Sequence, residues 1–142
     1  MIVLDANLLL YAYGQSSPFH ARARGWIESV FSGDETVGLP WQTITAFVRI
    51  ATDPRVPGYR RAADEVLRVV EEWLRHPRVQ VLAPGDDHWA VLRRMIVDGQ
   101  ASGPLVSDAE LAALTIEHGG ILYTADRDFA RFPGLRWVNP LA

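Results

Sequence analysis

Residues 106–129, VSDAELAALTIEHGGILYTADRDF, pass from a helix through a strand into an acidic turn. Ser107 and Glu110 match the Ser-x-x-Glu capping box, Ala109, Ala112, Ala113 and Ile116 share a small-residue face, and Gly119-Gly120 fits a C-terminal stop. ILYT (121–124) is a short apolar run of the kind that forms a buried strand. Asp126 and Asp128 follow it at once. Charge just past a buried strand is either loop punctuation or the edge of an active site, because open parallel sheets bind ligands at the carboxyl ends of their strands.

The same alternation extends outward in both directions. IVLD (2–5), TVGLP (36–40), VQVLA (79–83) and LRWV (135–138) read as further strands. Between them the spacing predicts helices over about 19–31, from Trp41 to the Asp53-Pro54 pair, and over about 86–97, the last with an acidic first turn. In RRAADEVLRVVEEWLRHP (60–77), Ala63, Val66, Leu67, Val70, Trp73 and Leu74 recur at helical spacing. Strands that are continuous apolar runs, alternating with helices, predict an α/β fold: a central parallel sheet flanked by helices in three Rossmann-like layers. No linker or repeat interrupts residues 1–142, which read as a single domain. Right-handed crossovers place the carboxyl ends of all strands on one edge. Asp5, Asp108 and Asp126 are therefore expected to converge there.

Composition narrows the chemistry. All 14 basic residues are arginine, and there is no cysteine. Lysine-dependent phosphate loops, Schiff bases, thiolate nucleophiles and cysteine zinc sites are thereby excluded. An intracellular, cytoplasmic location fits the lack of cysteine, and the opening MIVLDANLLLYAYG resembles neither a signal peptide nor a membrane span. The net charge of −3 argues against general electrostatic binding of nucleic acid, but Arg49, Arg55, Arg60 and Arg61 face only Asp53 within their stretch. Those arginines are candidates for contact with nucleic acid or a partner, or form a solvated face.

Two carboxylates about 4 Å apart repel by roughly 4 kcal/mol at an effective dielectric near 20, so a cluster needs cations or protons. His20, His76, His88 and His118 have no metal-ligand spacing, which leaves an all-oxygen donor set suited to Mg²⁺ or Mn²⁺. Taken singly, Asp108 also suits a helix first turn and Asp126 an N-cap. Asp128 suits a solvated helix equally well. Asp5, between IVL and ANLLLYAY, has no evident structural benefit at that position.

Three stretches, VLDANLLLYA (3–12), LPWQTITAFVRIATDPRV (39–56) and VSDAELAALTIEHGGILYTADRDFARFPGLRWVNP (106–140), together resemble the PIN-domain ribonucleases, and most closely the VapC toxins of type II toxin-antitoxin modules. The resemblance implies metal binding and catalysis at Asp5, Asp108 and Asp126, with Asp128 as a further acid. It implies that Asn7, Thr124 and Ser107 orient a carboxylate or the attacking water. It also implies Mg²⁺- or Mn²⁺-dependent cleavage of RNA, in loops of tRNA or rRNA, homodimers, and silencing by a small VapB-like antitoxin. Many PIN domains carry a glutamate on the helix where this chain has Ala46, so one well-held ion is expected rather than two. The alternatives are a PIN domain that binds RNA or a partner without cutting, and a different α/β enzyme such as a phosphatase.

Overall fold

A computed structural model describes residues 1–58 and 62–142. Its five strands are β1 (Ile2–Leu4), β2 (Val37–Pro40), β3 (Val79–Leu82), β4 (Ile121–Tyr123) and β5 (Trp137–Val138). The six helices are α1 (Ala6–Tyr13), α2 (His20–Ser32), α3 (Trp41–Ala51), α4 (Ala63–Arg75), α5 (His88–Asp98) and α6 (Leu105–Glu117), with a 3₁₀ turn at Arg127–Arg131. The strands form one sheet in the order β3-β2-β1-β4-β5, every pair parallel. The α/β expectation therefore holds. Among the described residues no helix is long and apolar enough to cross a membrane.

The pleat explains why the central strands are apolar throughout. Ile2 and Leu4 face one core with α1 to α4, where Leu9, Val30, Phe47 and Val66 pack, whereas Val3 faces a second core with Leu82, Met95, Ala112 and Leu122 under α5 and α6. The central strands β1, β2 and β4 are thus covered on both sides, whereas the edge strands β3 and β5 leave Gln80 and Val138 exposed. The alanines of α6 serve close packing: Ala109, Ala112 and Ala113 are fully buried. Gly119 ends that segment at φ +66°, a left-handed conformation that an L side chain resists.

Two local expectations are corrected, and the helix expected within 60–77 forms with a narrower buried face than its spacing suggests. No capping box forms at Ser107, because α6 begins at Leu105 behind Pro104 and no side chain caps it; proline's fixed φ starts the helix earlier. Asp86 and Asp87 precede α5 instead of filling its first turn. On α4 the buried stripe is narrower than its apolar stripe: Val66 and Val70 are buried, while Leu67 and Leu74 are 45% and 39% exposed. Helical spacing defines a face but not how much of it a neighbour covers.

Candidate active site

Sheet topology brings the ends of β1 and β4, which pair directly, beside the start of α6. Asp5 leaves β1 in extended conformation and caps α1, its Oδ1 accepting the Ala6 N–H at 2.7 Å. The residue thus has a structural benefit that its flanking sequence does not reveal. Its other oxygen, Oδ2, accepts the Thr124 hydroxyl at 2.7 Å. Thr124 is fully buried just past β4. The same Oγ1 accepts from Asn7 Nδ2 at 3.2 Å and from the Asp126 N–H at 3.0 Å. A hydroxyl has one proton to give and two lone pairs, and all three are used. Asn7 Oδ1 in turn accepts the Ala125 N–H at 3.4 Å. One network therefore joins Asp5, Asn7, Thr124 and the main chain at Asp126.

Asp126 caps the 3₁₀ turn, with Oδ1 accepting the Asp128 N–H at 2.8 Å. Asp108 stands in the first turn of α6. Its carboxyl is pushed up to about 6, first by burial and then by the charges of Asp126, Asp5 and Asp128, against a smaller opposing effect of Arg131. Asp5 is also raised, chiefly by burial, which outweighs the hydrogen bonds from Thr124 and Ala6. Asp108 thus feels the charge of each of the other three aspartates singled out by the sequence. Arg131, which opposes their repulsion, was not among the candidates; Asp128 and Arg131 lie three apart in a 3₁₀ turn, a spacing that eclipses side chains.

Ser107 is exposed, and its carbonyl accepts Gln42 Nε2 of α3 at 3.0 Å. This contact spans 65 residues and left no local signal in the sequence. Beside it runs a groove of about 420 Å³ lined by Gln42, Thr45, Ala46, Arg49 and Ser107. Ala46 contributes no charge there, and exposed Arg49 lies at the same groove. Asp53 does not replace the missing acid: Arg55 Nε and Nη2 grip its two oxygens at 3.1 Å each, which holds the carboxyl below the usual range. Arg55 is thus already paired with Asp53. Arg60 and Arg61 lie outside the described residues. The histidines are tied elsewhere, His88 Nδ1 to Glu117 at 2.6 Å and His20, His76 and His118 to main-chain carbonyls.

Among the described residues no three carboxylate or imidazole side chains already stand in an ion-holding arrangement. The donor chemistry nevertheless fits a hard divalent cation. The available ligands are carboxylate oxygens, and the Asp108 carboxyl, raised first by burial and then by the charges of Asp126, Asp5 and Asp128, carries a repulsion that a cation would relieve.

The sequence pattern of the PIN domain matches residues 2–135. Ribonuclease VapC43 of Mycobacterium tuberculosis is 36% identical over 141 residues, covering 99% of this chain and 96% of that protein. Ribonuclease VapC37 of the same organism is 39% identical over 146 residues, covering 100% and 99%. Among solved structures, VapBC2 from Rickettsia felis bound to a promoter DNA fragment contains a chain that superposes with a TM-score of 0.71 at 14% identity, covering 98% of both chains.

Proposed function

We propose that this chain, which belongs to the PIN-domain family and within it to the VapC ribonucleases, is a divalent-metal-dependent endoribonuclease and the toxin of a toxin-antitoxin module. The observation that supports this reading is that Thr124 ties Asp5 to the main chain of Asp126 and that Asp108, raised first by burial, also feels the charges of Asp126, Asp5 and Asp128. In this reading Asp5, Asp108 and Asp126, with Asp128 beside them, would hold Mg²⁺ or Mn²⁺. When bound, such an ion lowers the pKa of a coordinated water and neutralises charge building on the phosphate.

The protein's own groups do the positioning. Thr124 fixes one oxygen of Asp5 and the main chain of Asp126 at once, and Asn7 locks the threonine hydroxyl, so two carboxylates share one rigid support. Arg131 offsets part of the cluster's negative charge. Arg49 lines the groove beside Ser107, and in this reading its guanidinium meets a backbone phosphate. Water adds to phosphorus, the P–O3′ bond breaks and a proton from that water ends on O3′, so the products carry a 5′-phosphate and a 3′-hydroxyl. Unpaired loops of tRNA or rRNA are the substrate class, since RNA sequence is read mainly where bases are unstacked. The partners are a VapB-like antitoxin and a second copy of the chain, and the compartment is the cytoplasm.

Cleavage of a pool of bacterial tRNA and rRNA by purified, chelator-stripped protein tests this reading. Restoration of cutting by Mg²⁺ or Mn²⁺, with 5′-phosphate ends, is expected. Equal cutting in excess chelator refutes it. Ala46 favours one other reading, a domain that binds RNA without cutting; retention of RNA with no cleavage in excess Mn²⁺ identifies that case.

A further inference from the structure

Two consecutive residues at the start of α3 reach in different directions to equivalent targets. Thr43 is 2% exposed, and its hydroxyl donates to the Leu4 carbonyl at 2.9 Å. Gln42 Nε2 donates to the Ser107 carbonyl at 3.0 Å. Leu4 immediately precedes Asp5, and Ser107 immediately precedes Asp108. Asp5 and Asp126 are already linked through Thr124, whereas the side-chain contacts described for Asp108 are charge interactions only. Its helix starts with no side-chain cap.

We infer that Gln42 and Thr43 are positioning residues for the site proposed above: their side chains clamp the main chain ahead of Asp108 and Asp5 and so set the spacing of those two carboxylates. The inference rests on that site being the metal centre. Like-charged groups push apart unless the backbone holds them, and a clamp on each peptide just before the aspartate supplies that hold without adding charge. A glutamine suits the task because its amide donates to a carbonyl while remaining neutral. The orientation of its amide follows from the partner, since a carbonyl only accepts.

The geometry also carries a cost that packing does not explain. Gln42 Oε1 is shut off from solvent and has no donor. A buried unsatisfied acceptor is unfavourable, so an apolar residue of similar length, which removes that cost while giving up the bond to the Ser107 carbonyl, is expected to leave the fold about as stable. Stability and metal affinity should therefore part company at position 42.

Mn²⁺ binding by titration calorimetry on the full chain, together with melting temperature in chelator, tests the clamp. Gln42→Met is expected to keep the wild-type melting temperature yet bind Mn²⁺ about 10-fold more weakly, the loss typical when a residue supporting a metal ligand is removed. Thr43→Val is expected to weaken binding similarly, and Thr43→Ser, which keeps the hydroxyl, to restore it even if the valine variant melts lower. Mn²⁺ affinities of Gln42→Met and Thr43→Val both within about twofold of wild type overturn the clamp while leaving the metal centre standing. Equal Mn²⁺ binding by wild type and Asp5→Asn overturns the metal centre itself, and the clamp with it.

Discussion

Replacing Asp108 with asparagine should stabilise the metal-free protein while removing its activity. The Asp108 carboxyl moves from an ordinary 3.8 to about 6 on folding. At about 1.36 kcal/mol per unit this amounts to roughly 3 kcal/mol. The carboxylate is only partly withdrawn from water, and halving the figure for solvent screening leaves about 1.5 kcal/mol. An anion in the first turn of α6 recovers about 0.5 kcal/mol from the helix dipole, so the net penalty is about 1 kcal/mol. For a chain of 142 residues that is a shift of about 3 °C in Tm. The native state binds more protons than the unfolded chain between pH 3.8 and about 6, so stability falls as pH rises through that window, and the penalty is complete above it. Thermal melts in chelator should therefore show Asp108→Asn melting higher than wild type at pH 8, with the gap closing towards pH 4. Added Mn²⁺ should raise the wild-type Tm and leave the variant unmoved, since only a ligand that binds the native state stabilises it. A variant that melts lower at pH 8, by an amount independent of pH, would falsify the argument and return Asp108 to a helix-capping role.

Three further outcomes follow from particular contacts. Thr124→Val strips the hydroxyl that serves Asp5, Asn7 and Asp126; urea denaturation should show a loss of about 1–3 kcal/mol, and RNA cleavage should fall at least tenfold. Unchanged cleavage would detach the threonine from the site. Gly99→Ala places a Cβ 2.6 Å from both the Met95 carbonyl oxygen and the Phe132 ring, so a loss of about 1–3 kcal/mol is expected; a variant of wild-type stability would show that the α5 end can shift. Arg49→Ala should weaken RNA binding and reduce the slope of log affinity against log salt by about 0.7, as expected for one lost single-strand phosphate contact. An unaltered slope places the RNA elsewhere.

The parallel sheet was legible because buried strands leave a strong mark: IVL, VGLP and ILY are apolar on both faces and are bounded by polar residues or breakers. Asp5 and Asp126 were legible for the same reason, each standing where a strand stops. Other features depend on neighbours far away in the chain. Leu67 and Leu74 share a helical stripe with Val66 and Val70, yet coverage stops short of them. Ser107 and Glu110 have the spacing of a capping box, but Pro104 has already begun the helix. Glu110 lies instead near His88, at 3.9 Å. Gln42 carries no local signal, since its contact becomes visible only when α3 and α6 meet.

The most direct test of the central claim is to induce wild-type protein and Asp5→Asn in a bacterial host and map new RNA 5′ ends. Asparagine keeps an oxygen for the Ala6 N–H but puts an amide nitrogen where Oδ2 accepts the Thr124 hydroxyl, so the variant loses that bond with the charge, and a thermal melt of the purified variant confirms that it is folded. A few sharp, 5′-phosphorylated cuts in tRNA or rRNA that vanish with Asp5→Asn are predicted. The same cuts at undiminished yield in the variant would contradict a carboxylate-held metal as the source of the activity.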